Sequence, residues 1–176
     1  IERVSVGGGT PTYDDKHDIY RLDGMDLLAC EDNDANAPYH QVNSGNDKEY
    51  PDSHKTTASS ASCRAHGQFS ALRDIYRRIS YSTTTVGGQE IPTFTVTNKD
   101  GTAYKYEPIG LIAGDNPSSA GVRFNHLFDS KFLLTEIRDT QETANVVVFK
   151  YQFDGNGHGR SHRPYRIEYA GYHVQF

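Results

Sequence analysis

Apolar and polar residues alternate with a period of two along much of this chain, which is typical of half-buried β-strands. Residues 18–30 read "DIYRLDGMDLLAC", and Asp23-Gly24 separates two runs that contain apolar residues. Because Asp-Gly tolerates the positive φ angles of a tight type I′ turn, this stretch predicts a β-hairpin.

Three later stretches repeat the alternation. In "TFTVTNKDGTAYKY", Phe94 and Val96 alternate with threonines, residues 98–101 turn the chain, and Tyr104 begins the return. In "FLLTEIRDTQETANVVVFKYQFDGNGH" (132–158), an aliphatic run is followed by a polar break and an aromatic-rich run. The fourth stretch, "PYRIEYAGYHVQF", closes the sequence as given.

These stretches predict strands at 91–97, 102–107, 132–138, 146–153 and 165–170, and at least seven strands in all. The expected fold is mainly β, with antiparallel hairpins that form a sheet, a sandwich or a segment of a shell, with long polar loops and little helix. Val147, Phe149, Tyr151 and Phe153 are expected on one face, with Phe149 and Tyr104 as core aromatics.

Three segments depart from this pattern. Residues 72–79 have apolar residues at helical spacing, and we expect an irregular or helical turn near 70–75, followed by a strand. Residues 31–62 are polar and are expected to be a surface loop or a partly disordered insertion. Residues 112–126 are expected to form a second loop.

The composition restricts the classes of function. A chain of 176 residues fits a single domain, 1–176, and its formal charge of −5 argues against a nucleic-acid binder. The sequence contains no apolar run near the ~20 residues that a membrane-spanning helix needs. Because the chain starts at Ile1, we expect a fragment or a mature product, with any secretion signal outside it.

Two cysteines, Cys30 and Cys63, are too few to define a disulfide framework. They could pair and close a loop of about thirty residues, or remain free. Free thiols are the favoured interpretation, because nothing else marks the chain as a scaffold held by disulfides.

Metal sites are poorly supported by the spacing of possible ligands. "DNDAN" (32–36) and "DGNGHG" (154–159) place oxygen ligands at alternate positions, but neither has the Glu that a calcium loop carries at its twelfth position. His158 and His162 are four residues apart in a glycine-rich stretch that lacks a cysteine pair. Solvated turns are the favoured interpretation, and a weak site near Asp154 or His158 stays an open alternative.

Catalytic motifs are also lacking. Cys63 precedes His66 by three residues, and residues three apart in a strand point to opposite faces, which argues against a catalytic dyad. There is no G-x-S-x-G motif, and the glycine-rich "VGGGT" (6–10) lacks the Lys-Ser/Thr of a phosphate loop. We therefore assign no catalytic, cofactor-binding or metal-binding residue, and no cofactor.

Four stretches together resemble a known family. "IYRLDGMDLLAC", "FTVTNKDGTAYKYE", "FLLTEIRDTQETANVVVFKYQFD" and "PYRIEYAG" resemble, in this order, strand elements of the SpvB-like region of the B component of Tc insecticidal toxins, and the third resembles the hairpin of the YD (Rhs) repeat. The four cover about half of the chain.

The resemblance implies a structural role. In that family such regions belong to a hollow β shell around a cytotoxic segment, and the enzymatic activity lies in a separate domain. We therefore expect a secreted, non-enzymatic scaffold or shell segment that delivers a toxic partner domain, with other parts of a toxin complex as partners. The alternative is a carbohydrate- or protein-binding β-sandwich, and a hydrolase with an unrecognised site is a third hypothesis.

Overall fold

The fold is mainly β, as the sequence predicts. The computed structural model describes residues 1–13, 17–30, 50–56, 60–73, 76–115, 126–141, 145–154 and 161–176. Its strands are β1 Glu2–Ser5, β2 Asp18–Leu22, β3 Met25–Cys30, β4 Lys55–Thr56, β5 Phe69–Ala71, β6 Arg78–Val86, β7 Gln89–Thr97, β8 Ala103–Pro108, β9 Phe132–Arg138, β10 Val146–Asp154, β11 Ser161–Tyr169 and β12 Tyr172–Gln175. Its helices are a 3₁₀ turn at Asp52–His54 and three short α-helices, α1 Ala61–Arg64, α2 Ile109–Ile112 and α3 His126–Asp129.

The strands form one sheet in the order β1-β2-β3-β5-β6-β7-β8-β9-β10-β11-β12, with β4 beside β3. The described pairings are antiparallel, apart from the parallel pair of β3 with β4. The chain divides into two compact units, Ile1–Ser82 and Thr83–Phe176. The single domain over 1–176 stays a prediction.

The predicted strands agree with the structure, with small differences at their ends. Asp23 and Gly24 have φ angles of 52° and 77° and form the predicted two-residue turn between β2 and β3. The strand predicted at 165–170 starts earlier, at Ser161, and ends at Tyr169. It ends there because Ala170 and Gly171 form a second positive-φ turn, which leads into the unforeseen strand β12.

Two other expectations need correction. Residues 70 and 71 of the turn expected near 70–75 belong to β5. Residues 72 and 73 form the expected irregular bend, residues 74 and 75 lie outside the described residues, and the expected strand follows as β6. Phe149 and Tyr104 are half-buried rather than core residues, because each belongs to a part of the sheet face that is incompletely covered.

Most of the predicted loops lie outside the described residues. This is true of 31–49 and 57–59 in the first loop and of 116–125 in the second. The described part of the first loop differs from the expectation: Tyr50 is only 2% exposed and belongs to the core, and the 3₁₀ turn, β4 and the start of α1 lie within 52–62.

The core of the first unit surrounds Phe69, which is fully buried. Its ring has edge-to-face contacts with Tyr20, Tyr50 and Tyr81, at centroid distances of 5.9, 5.4 and 6.2 Å. The buried Tyr50 hydroxyl accepts a hydrogen bond from the Tyr20 amide and donates one to the Leu27 carbonyl, so it is satisfied in both roles. Burial raises the pKa of Tyr50 far above its ordinary value.

Cys30 and Cys63 form a disulfide, so the expectation of free thiols is wrong. The bond joins the end of β3 to α1, across a Cα–Cα distance of 5.6 Å. The Ser60 hydroxyl caps α1 by accepting a hydrogen bond from the Cys63 amide at 3.1 Å. The sequence could not show this pairing, because it depends on β3 and α1 being brought together by the sheet.

Cross-strand pairing in the second unit places apolar residues on one face. Consecutive partners form an apolar row across six strands: Val96, Tyr104, Ile137, Val147, Tyr169 and Tyr172. The adjacent row is more polar: Thr95, Lys105, Glu136, Val148, Glu168 and His173. Because successive residues of a strand point to opposite faces, the two rows lie on opposite faces of the sheet.

The apolar row is buried at one end and exposed at the other. Val96 in β7 is 1% exposed, whereas Tyr169 is 46% and Tyr172 is 80% exposed. Near the buried end, Phe94 and Phe132 pack edge to face at 4.9 Å. The core of this unit therefore lies under β7 and β9, and β11 and β12 extend beyond it.

We predict different costs for truncating two phenylalanines of this face. Phe94→Ala should lower the free energy of unfolding by about 3–5 kcal/mol, because Phe94 is fully buried. Phe149→Ala should lower the free energy of unfolding by clearly less than Phe94→Ala does, since the Phe149 side chain is only half-buried. Urea denaturation measures both values, and equal costs would contradict the gradient of burial.

We also predict that reduction of the disulfide destabilises the first unit. Cys30 and Cys63 are separated by 33 positions, and closing a loop of this length stabilises a fold by about 3–4 kcal/mol through the unfolded state. Urea denaturation with and without reductant measures the difference. A Cys30→Ala/Cys63→Ala variant should match the reduced protein and should not respond to reductant.

Candidate functional site

A Ser-His-Asp cluster lies in the first unit, where the 3₁₀ turn meets β3. The Ser53 hydroxyl is 2.9 Å from His54 Nδ1, and His54 Nε2 is 3.4 Å from Asp26 Oδ2. The other oxygen of Asp26 accepts a hydrogen bond from Arg21 Nε at 2.5 Å. These are the residue types of a hydrolytic triad, in a hydrogen-bonded chain.

The electrostatics of the cluster favour a structural role. Burial alone would raise the pKa of Asp26, but hydrogen bonds from Arg21 and His54 outweigh it and lower the pKa. Because Arg21 already neutralises this carboxylate, Asp26 is less able to stabilise a positive charge on His54. The cluster therefore ties the 3₁₀ turn to β2 and β3.

The structure describes three of the residues that the sequence singled out as candidates: Cys63, Asp154 and His162. Cys63 is oxidised and has no free thiol, which removes it as a nucleophile. Asp154 pairs with Arg163 at 3.2 Å. His162 packs against the Tyr151 ring at 6.5 Å, and its pKa is lowered by burial and by Lys131. His158 and residues 31–49, which include the "DNDAN" stretch, lie outside the described residues.

A cavity of about 590 Å³ lies in the second unit. Its volume is within the usual range for small-molecule sites, roughly 300–1,000 Å³. It is lined by residues of β6, α2 and β8–β11: Thr84, Lys105, Glu107, Leu111, Ile112, Thr135, Glu136, Val148, Phe149, Lys150, Tyr151 and Tyr165. Aromatic, aliphatic and charged groups therefore meet at one concave surface.

Two β-bulges shape this cavity. The β8–β9 register shifts between Lys105 and Tyr106, which leaves Thr135 without a directly opposed partner. The β10–β11 register shifts between Lys150 and Tyr151, which does the same for Tyr165. Bulges bend a strand and redirect its side chains, and both of these extra residues line the cavity.

The two glutamates that line the cavity, Glu107 and Glu136, each pair with a cationic side chain. Lys105 Nζ is 2.8 Å from Glu107 Oε1, and Arg138 Nη2 is 2.9 Å from Glu136 Oε1. The Tyr151 hydroxyl donates a hydrogen bond to the Leu134 carbonyl, and burial raises the pKa of Tyr151. Each of these two carboxylates therefore has a cationic partner on the same strand.

Sequence reasoning missed both of these places. Ser53 and His54 are adjacent, but Asp26 comes from a different strand, and only the fold brings it near them. The two bulges have no recognisable sequence motif, because a bulged residue is identified only by how its strand pairs with the neighbouring strand. A pattern in the local sequence could therefore reveal neither the Ser-His-Asp cluster nor the cavity.

Within the described ranges, no group of three or more His, Cys, Asp or Glu side chains could hold a metal ion. No helix among those residues is long and apolar enough to cross a membrane. Comparison of the chain with protein-family models, with curated proteins and with solved structures finds no match.

We predict that Asp26→Asn lowers the free energy of unfolding at pH 7 by about 1 kcal/mol. Because the folded-state pKa of Asp26 lies below the ordinary value of 3.8, its contribution is present above that pH and is lost as the pH falls through the folded-state pKa. The difference in free energy of unfolding between the wild type and Asp26→Asn should therefore become smaller below about pH 3.8. Urea denaturation across pH measures it.

The matched control is Asp23→Asn. Asp23 is exposed and pairs with Arg77 only at 3.5 Å, so Asp23→Asn should change the free energy of unfolding little. If the loss of stability caused by Asp26→Asn stayed constant with pH, this would contradict the role of Asp26 as an ionised partner of Arg21 and His54.

Proposed function

We propose that this chain is a non-enzymatic β-sheet segment of a secreted toxin-complex protein of the SpvB, Tc-B or Rhs type. It would act as scaffold or shell for the delivery of a toxic partner domain. Its partners would be other segments or subunits of the same complex.

The observation that carries this proposal is the two-sided sheet of the second unit. One face carries an apolar row across six strands, and the opposite face carries a row that includes Lys105, Glu136 and Glu168. A sheet that separates an apolar from a charged side over this width is suited to be a wall between two environments.

Two further features support the proposal. The four stretches that resemble toxin-shell elements lie mostly on strands of the structure, from β2 to β11. The disulfide between Cys30 and Cys63 suits an oxidising compartment, as secreted proteins have.

The cavity of the second unit favours the alternative, a carbohydrate-binding β module. Phe149, Tyr151 and Tyr165 provide rings that can pack on sugar C–H groups, and Glu107 and Lys105 provide acceptors and donors for hydroxyl groups. The isolated chain would then bind saccharides without any partner segment.

The test of the shell role uses the complete secreted protein that contains this chain. Deletion of residues 1–176, or Ile167→Asp on the apolar face, should make the toxic partner domain several-fold more sensitive to added protease. The reason is that a charge on the apolar face disrupts the packing of the wall. Protease digestion followed over time measures the protection.

Lys150→Gln is the matched control, because this exposed residue neighbours Ile167 on the paired strand but belongs to the charged side. It should leave protection unchanged. Full protection after deletion of residues 1–176 would refute the shell role, and saturable binding of a saccharide by the isolated chain would favour the alternative.

A further inference from the structure

The cavity of the second unit is lined partly by polar groups that already have partners within the chain. Lys105 pairs with Glu107 at 2.8 Å, and Glu136 pairs with Arg138 at 2.9 Å. The Tyr151 hydroxyl donates its hydrogen bond to a backbone carbonyl. A ligand that used any of these groups would have to displace its present partner, which reduces the gain from binding.

Three other polar groups of the lining are free to bind a ligand. Among the described residues, the Lys150 amine and the Thr84 and Tyr165 hydroxyls have no ion-pair or hydrogen-bond partner. Lys150 and Thr84 are exposed, and Tyr165 is half-buried. The free groups are therefore one cation and two hydroxyls, which can each donate and accept a hydrogen bond, whereas both carboxylates of the lining are engaged.

The sheet register leaves the charge of Lys150 uncompensated. Lys150 on β10 lies directly opposite Arg166 on β11, and like charges opposite each other destabilise a sheet. Arg166 has Glu168 on its own strand, with Nε and Oε1 2.9 Å apart. By contrast, Lys105 lies opposite Glu136, a pair of unlike charges. An anionic group bound beside Lys150 would relieve the one repulsive pair of these two.

Apolar side chains complete the concave surface. The bulge in β11 brings Tyr165 to the cavity, and Val148 of β10 lies in the same lining. Leu111 and Ile112 of α2 contribute aliphatic groups. A cavity of about 590 Å³ with apolar walls and a few free polar groups is typical of a small-molecule site.

We propose that this cavity binds an acidic saccharide, such as one that contains a uronic or sialic acid residue. Lys150 would bind the carboxylate, Tyr165 would pack on the C–H face of the sugar ring, and the Thr84 and Tyr165 hydroxyls would bind sugar hydroxyls. This inference rests on the carbohydrate-binding alternative given above and names the class of its ligand. The shell role does not depend on it.

Isothermal titration calorimetry with two matched pairs of saccharides tests the class of ligand. The pairs are trigalacturonate with galactotriose, and 3′-sialyllactose with lactose. At least one acidic member should bind the chain about tenfold or more tightly than its neutral counterpart, because a hydrogen bond to a charged group is the stronger kind. Its affinity should fall as salt is added, since Lys150 is exposed.

Substitutions of Lys150 test its role. Lys150→Glu should lower the affinity for the acidic saccharide about tenfold or more, and Lys150→Arg should keep most of it. The variant with the acid should stay folded, because it places unlike charges opposite each other at Arg166. Near-ultraviolet circular dichroism checks this.

Lys99→Glu is the matched control. Lys99 is also exposed and has no ion-pair partner among the described residues, but it lies in the turn between β7 and β8 and does not line the cavity. It changes the net charge of the chain by the same amount as Lys150→Glu. The affinity for the acidic saccharide should therefore stay as in the wild type.

The outcomes separate this inference from the role on which it rests. Equal affinities for the acidic and neutral members would overturn the acidic ligand but keep a carbohydrate-binding cavity. No binding of any of the four saccharides would overturn both. Equal losses for Lys150→Glu and Lys99→Glu would show that net charge, not this cavity, attracts the acid. The protease test of the shell role is unaffected by each of these results.

Discussion

Antiparallel pairing fixes which side chains face each other in this protein, because a shift of one residue would turn every side chain of a strand to the opposite face. In the second unit, the register from β7 to β12 keeps tyrosines and aliphatic residues on one side and Lys105, Glu136 and Glu168 on the other. The burial of Phe94, the paired charges at the cavity and the exposure of Tyr172 all depend on this register. At the two bulges the register shifts by one residue, which changes the direction of individual side chains.

The first unit depends less on long rows and more on buried polar groups that join separate segments. Asp18 accepts hydrogen bonds from Arg3 and from the Thr12 and Tyr13 amides, at 3.0, 2.8 and 2.6 Å. The Ser62 hydroxyl donates to the Phe69 carbonyl and accepts from the Ile79 amide. Such groups are costly to leave unpaired, so each of them specifies one arrangement of its segments.

The fold class was predictable because alternation and turn chemistry are local properties of the sequence. Asp23-Gly24 reveals a hairpin, since both residues must adopt positive φ angles. β12 was missed because its turn begins with Ala170, a residue that rarely adopts the φ of 48° it has here. The disulfide, the Ser53-His54-Asp26 cluster and the cavity were not predictable, because each joins residues that only the completed sheet brings together. The shell role and the absence of a catalytic residue stay predictions.

Helix α1 has only four residues, and a helix of that length does not persist without contacts to the rest of a fold. Ser62 within it is bonded to β5 and β6, and Cys63 beside it is bonded to the end of β3. Pairing of those strands therefore places the Cys63 sulfur beside that of Cys30, so folding of the first unit and formation of this disulfide favour each other.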